Sequence, residues 1–246
     1  LVVGAGITGL TTAALLARAG KSVVVVEARH VGAATTGNTT GKVSVLQGSK
    51  LASIAGKHGS DTLRAYVTGN TEGRDWLVRH CEEHGLSFQR EDDHAYAQNA
   101  QGLGTARDVM SACREAGLDA QWVDEADVPF PFAGGVRLRN QAQIDPMVVL
   151  RALADDLRAH GGHFYEGVRV QGLRHGTPNV LSTDAGDVRA DTVVIATGQP
   201  FLDRGGYFAR VHPQRSYAAA FTVDGDIPGE MYLGSDNPSV SLRTVS

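Results

Sequence analysis

Apolar positions recur with two different periods along this chain. Residues 1–3, Leu-Val-Val, are wholly apolar, and so is most of "SVVVVE" at 22–27. Short runs of that kind read as strands buried on both faces. Between them Leu10, Ala13, Ala14 and Ala17 recur at helical spacing. They predict a helix over 10–19, stopped by Gly20. Strand, helix and strand in that order make a βαβ unit. Leu63, Val67, Leu77 and Cys81 predict a second helix over about 61–84, and a third is expected near 106–115. Asp145 is placed to cap a fourth helix that opens on Pro146 and runs to about His160, where Gly161 and Gly162 stop it. "HFYEGVRVQGL" (163–173) and "RADTVVIATG" (189–198) then read as strands, and residues 217–223 have strand character. Internal repeats and low-complexity linkers are absent, so any domains are interleaved.

Composition narrows the classes. The chain has 246 residues, 42% of them hydrophobic, enough for one large or two intertwined cores. A formal net charge of -4 argues against nucleic acid or an anionic membrane as partner. No apolar run approaches the roughly 20 residues of a membrane span, and residues 1–5 lack the basic start of a signal peptide. Cys81 and Cys113 form no C-x-x-C pair, so neither zinc nor a disulfide framework is indicated; they fit buried thiols of a reducing, cytoplasmic compartment. His80 and His84 are spaced i, i+4 but lack a third good ligand, so no metal site is assigned. A chain that begins inside a strand reads as truncated.

Chemistry enters at residues 4–9, Gly-Ala-Gly-Ile-Thr-Gly, which match G-x-G-x-x-G. Gly4 makes the tight turn, Gly6 lets backbone approach a pyrophosphate, and Gly9 lets the helix sit close to the strand. The anion would rest on the free N–H groups and the positive end of the helix. Glu27, 18 positions beyond Gly9, ends the second strand, where a carboxylate accepts hydrogen bonds from ribose hydroxyls. The alternative is a glycine-rich turn without a ligand. "GNTTGKV" (37–43) is no NTPase phosphate loop, since only three residues separate Gly37 from Gly41 and Val43 stands where Ser or Thr is needed. "DEAD" at 124–127 therefore reads as an acidic loop. A nicotinamide dehydrogenase would continue with βαβα repeats after Glu27. Instead a long Gly/Thr-rich loop follows.

The opening βαβ, that loop, "GGHFYEGVRV" (161–170) and "VVIATG" (193–198) together resemble the FAD-dependent oxidoreductases of the D-amino-acid oxidase and glycine oxidase superfamily. "RGGYFARVHPQRSYAAAF" (204–221) with "GNTTGK" is similar to a bacterial branch that often carries a Rieske domain, whose ligands do not occur here. The resemblance implies an α/β fold: a Rossmann-like FAD-binding domain interleaved with a mostly antiparallel α+β substrate domain, truncated at both ends. The FAD domain would comprise 1–85 and 141–204, the substrate domain 86–140 and 205–246. Gly4, Gly6 and Gly9 would hold the pyrophosphate, Glu27 the ribose, and Arg29 would lie beside the adenine. Val170 would meet the adenine through its backbone, or serve simply as a core residue. Ala196, Thr197 and Gly198 would pass near the phosphates, and the loop 32–42, with Thr36, would run beneath the ribityl chain.

A second G-x-G-x-x-G is lacking, which favours electrons drawn from the substrate itself. The implied reaction is hydride transfer from the carbon beside an amine, in an amine or amino acid, to flavin, with electrons passing to oxygen or to a carrier such as a Rieske centre of a longer chain. Arg210, Arg215 and Tyr217 are candidates for gripping a substrate carboxylate; the alternative is an exposed strand edge. Lys42 is a candidate for stabilising negative charge on the reduced ring, or else a solvent-facing loop lysine. His212, before Pro213, reads as structural. The rival functions are an NAD-dependent dehydrogenase and a nucleotide-binding fragment without catalysis.

Overall fold

A computed structural model describes residues 1–199, 201–202, 205–212, 215–225 and 227–245. In chain order the elements are β1 (Val2–Val3), α1 (Ile7–Arg18), β2 (Val24–Val26), a short 3-10 turn (Thr36–Asn38), β3 (Lys42–Val43), α2 (Lys50–Glu83), β4 (Phe88–Ala97), α3 (Ala100–Glu115), β5 (Ala120–Val123), β6 (Gly134–Ile144) and α4 (Pro146–Ala159). Then follow β7 (His163–Tyr165), β8 (Val170–Arg174), β9 (Asn179–Thr183), β10 (Gly186–Ala190), β11 (Val194–Ile195), α5 (Tyr207–Arg210), β12 (Met231–Gly234) and β13 (Ser241–Leu242). They form two compact units, one of residues 1–39 and 145–219, the other of 40–144 and 220–246. No described helix is long and apolar enough to cross a membrane.

The first unit is built on a parallel sheet of order β11-β1-β2-β7. α1 packs on β1 and β2 and against α4. Its buried face is Gly9, Leu10, Ala13, Ala14 and Ala17, the stripe expected from the helical period, and α4 buries Val149, Leu150, Leu153 and Leu157. Small side chains on α1 allow the close approach. Arg18 clasps the buried Asp156 of α4 at 2.7 Å. The Asp145 carboxylate accepts from the N–H groups of Met147 and Val148, so the predicted cap and Pro146 start are both present. An antiparallel meander β8-β9-β10 adds a second sheet, and Val170 and Leu181 from it share a core with Val3 and Val26. β1 lies between β2 and β11, so the sheet extends to both sides of it, and a doubly wound sheet opens its ligand crevice outside the carboxyl ends of such strands.

The second unit holds a six-stranded, mostly antiparallel sheet of order β13-β12-β4-β6-β3, with β5 also paired to β6. Helices α2 and α3 cover it, and one core unites Leu51, Leu63 and Val67 with Ala95, Val109 and Val136. That core explains a difference from the expected boundaries. Residues 40–85, placed by sequence with the first domain, pack in the second unit, because α2 buries its apolar face on α3. Residues 205–219, placed by sequence with the substrate domain, fall instead in the first unit, and residues 141–144, placed with the FAD domain, fall in the second; Pro213 lies outside the described residues. Helix α2 also starts earlier than expected. Its leading turns precede Gly59, which leaves helical geometry at φ 77°, and the polar, glycine-bearing "AGKHGS" hid them. The expected strand over 217–223 is absent: that stretch has no regular structure, with Tyr217 92% and Phe221 83% exposed. Its aromatic and β-branched residues suit a strand, yet strands exist by pairing, and no partner strand adjoins it among the described residues.

Candidate functional site

The turn after β1 is shaped by close approaches. Gly4 has φ 106° and donates its N–H to Val26 O at 2.9 Å. A Cβ on Gly4 would stand 2.7 Å from Ala196 O, and one on Gly9 only 1.9 Å from Gly4 O. Both sites therefore exclude a side chain. Gly6 differs: among the described residues beyond its chain neighbours, only Thr36 Oγ1, at 3.2 Å, would come within 4 Å of a Cβ there, so its surface is otherwise open. Gly6 is the N-cap of α1, no side chain of its own caps the helix, and the first turn holds no acid. Thr36 supplies one acceptor from outside, taking the Ile7 N–H at 3.2 Å. With only the Ile7 N–H taken and no acid in the first turn itself, the remaining N–H groups are a donor set suited to a phosphate.

Glu27 follows β2 and is half-buried. Its Oε2 accepts from Ala5 N and its Oε1 from Arg29 N, each at 2.9 Å. The carboxylate thus ties the glycine turn to the end of β2 while keeping lone pairs for hydroxyl donors. Sequence reasoning assigned the ribose role and missed this anchoring one. Ala196 follows β11, donates to Val3 O at 2.9 Å, and walls the turn at Gly4. Thr197 turns its hydroxyl onto Gln199 O at 2.7 Å, and Gly198 faces open space. Arg29 is exposed, and its carbonyl accepts from Gly167 N at 3.0 Å. Val170 is 9% exposed in β8, within the unit's core. The first unit thus gathers Gly4, Gly6, Gly9, Glu27, Thr36 and Ala196 around one turn. These residues fit a dinucleotide.

Arg210 ends the four-residue α5, and it, Arg215 and Tyr217 are all exposed and lie in the first unit. Lys42 belongs to the second unit and is not the solvent-facing loop residue of the alternative reading. It lies on β3, half-buried, and donates from Nζ to Tyr232 O at 2.6 Å. Since Tyr232 sits on β12, beyond both β6 and β4 in the sheet, the sheet curls strongly. Burial lowers the Lys42 ammonium to about 8, against the pull of Asp93 and with help from Arg243. Burial likewise raises the Asp93 carboxyl to about 6, opposed by a Ser44 hydrogen bond, Lys42 and the His94 N–H. Asp93 is 2% exposed and its Oδ1 has no hydrogen-bond partner among the described residues.

Sequence reasoning missed the polar cluster on the same strand. His94 is buried and meets Glu230 at 2.7 Å through Nε2. Tyr232 stacks on His94 and donates to Glu230 at 3.0 Å, and Arg137 bonds Asp92 at 2.7 Å and Glu230 at 3.3 Å. Burial lowers the His94 imidazolium despite Glu230. "DDHAY" inside a buried strand was the available signal. His80 and His84 belong to an aromatic ladder with Trp76 along α2. Among the described residues no group of three or more His, Cys, Asp or Glu is placed to hold a metal.

The chain is 29% identical over 246 residues to YhfW of Bacillus subtilis (strain 168), provisionally named a Rieske 2Fe-2S iron-sulfur protein, covering 98% of this chain and 48% of that one. It is 28% identical over 208 residues to gamma-glutamylputrescine oxidoreductase of Escherichia coli (strain K12), covering 82% and 49%. It thus spans about half the length of these curated relatives. Among solved structures it shares its fold with L-proline dehydrogenase from P. horikoshii, at TM-score 0.64 and 21% identity over 80% of this chain and 51% of that one. The family described as DAO, FAD dependent oxidoreductase, matches residues 1–242. With the glycine turn, the uncapped helix start and the anchored acid in place, the chain belongs to the DAO family of FAD-dependent oxidoreductases.

Proposed function

We propose that the protein oxidises an amine or amino acid at the carbon beside nitrogen, with this chain supplying the dinucleotide site. The observation that carries the reading is the start of α1, where glycine backbone, uncapped N–H groups and the Thr36 hydroxyl converge. In it, Gly4, Gly6, Gly9 and Thr36 hold the FAD pyrophosphate, with Ala196, Thr197 and Gly198 alongside. Glu27 takes the ribose hydroxyls, Arg29 flanks the adenine, and Val170 meets it through its backbone. When bound, FAD supplies the ring that accepts the hydride. Lys42 offers positive charge, and Arg210, Arg215 and Tyr217 offer donors for a substrate carboxylate. Electrons leave to oxygen or to a carrier, a Rieske centre being suggested by the name of the Bacillus subtilis relative.

The test is a titration of the purified chain with FAD and, separately, with NAD. FAD fluorescence is expected to change on binding, NAD is expected to compete poorly, and anaerobic amines or amino acids are expected to bleach the bound flavin. Preference for NAD overturns the cofactor assignment for this chain. Flavin that binds but is reduced by nicotinamide donors and by no amine overturns the substrate assignment.

A further inference from the structure

A cavity of about 630 Å³ opens in the second unit, away from every residue given a role above except Tyr232's backbone. Its size falls within the range of small-molecule sites. One wall is apolar, from Val123, Val128, Pro129, Ile227 and Pro228. The charged lining is Glu125, Asp127, Arg137 and Glu230. Arg137, its one guanidinium, is already held by Asp92 and Glu230. Glu230 in turn accepts from His94 and Tyr232. The charged side chains left over are therefore carboxylates. Glu125 and Asp127 make no ion pair or hydrogen bond among the described residues.

We propose that this cavity binds a primary alkylammonium ion, the ammonium against Glu125 and Asp127 and the alkyl body along the proline and valine wall. Net negative lining selects a cation, and the apolar wall selects one with a hydrocarbon body over a bare metal ion. A carboxylate ligand would meet Glu125, Asp127 and Glu230 with its own charge. The site stands on the second unit alone and is measured without flavin, so its failure leaves the reading above untouched, and the reverse also holds.

Three probes of equal length decide it. Calorimetric titration of the full chain at pH 7 compares hexylammonium, hexan-1-ol and hexanoate. Hexylammonium is expected to bind at least about tenfold more tightly than hexan-1-ol, with hexanoate weakest. The double variant Glu125→Gln, Asp127→Asn removes two exposed charges that hold nothing else, and is expected to lose at least about tenfold in hexylammonium affinity with an unchanged unfolding midpoint. Equal affinity for hexan-1-ol, or hexylammonium affinity unchanged in the double variant, overturns the proposal, as does the absence of any hexylammonium binding. A double variant that unfolds earlier is replaced by Glu125→Gln and Asp127→Asn singly, each expected to weaken binding.

Discussion

Replacing Gly9 by alanine adds one methyl group at the closest approach in the first unit. That methyl would stand 1.9 Å from Gly4 O and 3.4 Å from the Ala196 methyl. An ordinary contact needs 3.4 Å or more, so α1 would have to retreat from the turn by about 1.5 Å. Neither side yields cheaply. Gly4 is held at φ 106° and bonded to Val26, and α1 is pressed between the sheet and α4. Over-packing of this kind costs about 1–3 kcal/mol, and two rigid backbones put it at the upper end. Alanine returns about 1 kcal/mol of helix propensity. The expected net loss is about 2 kcal/mol, together with weaker FAD binding as the helix start leaves the turn. Urea unfolding followed by circular dichroism measures it; tryptophan fluorescence would not, because Trp76 and Trp122 both lie in the second unit. Gly104→Ala on α3 is the control, since nothing among the described residues outside its own stretch of helix lies within 4 Å of its Cβ. It is expected to gain up to about 1 kcal/mol. A Gly9→Ala protein within about 0.5 kcal/mol of the parent would refute the close-packing argument.

Asp93 yields a pH prediction: its carboxyl rises from 3.8 to about 6 on folding, so the folded state holds the proton over that window and stability falls as pH rises through it. The loss is about 3 kcal/mol and complete above the folded value, so Asp93→Asn should gain on the parent between pH 4 and 7; parallel pH profiles of the unfolding midpoint would count against it. Glu27→Gln leaves one acceptor for the Ala5 and Arg29 N–H groups, and is expected to cost about 1–2 kcal/mol in chemical unfolding while weakening FAD in a fluorescence titration. Asp145→Ala removes the cap of α4 and should cost about 1 kcal/mol by the same unfolding assay, with FAD affinity nearly unchanged.

How far the fold was legible follows from how local its causes are. The βαβ unit and the cap of α4 are written in neighbouring residues: an apolar run, a helical stripe, an acid before a proline. Those elements came out as expected. The stretch 217–223, Tyr-Ala-Ala-Ala-Phe-Thr-Val, has strand character and forms no strand, because residue type does not state which strand would pair. Strand β4 fails in another way. Its register against β6 shifts between Glu91 and Asp93, so the period of two is broken inside the strand. Asp93 and His94 are buried where the pattern alone gives no reason for it. The glycine turn shows the same division within a single motif. The motif names Gly4 correctly, but the atom that excludes a side chain there is Ala196 O, brought by β11 from the other end of the unit. The acceptor at the start of α1 is likewise a threonine of a loop with no periodicity of its own. A local motif therefore specifies the donors of this site, while the acceptors and walls that hold it open come from sheet order. The variant that separates the two contributions is one at Thr36 or Ala196, where the motif is intact and its surroundings are not.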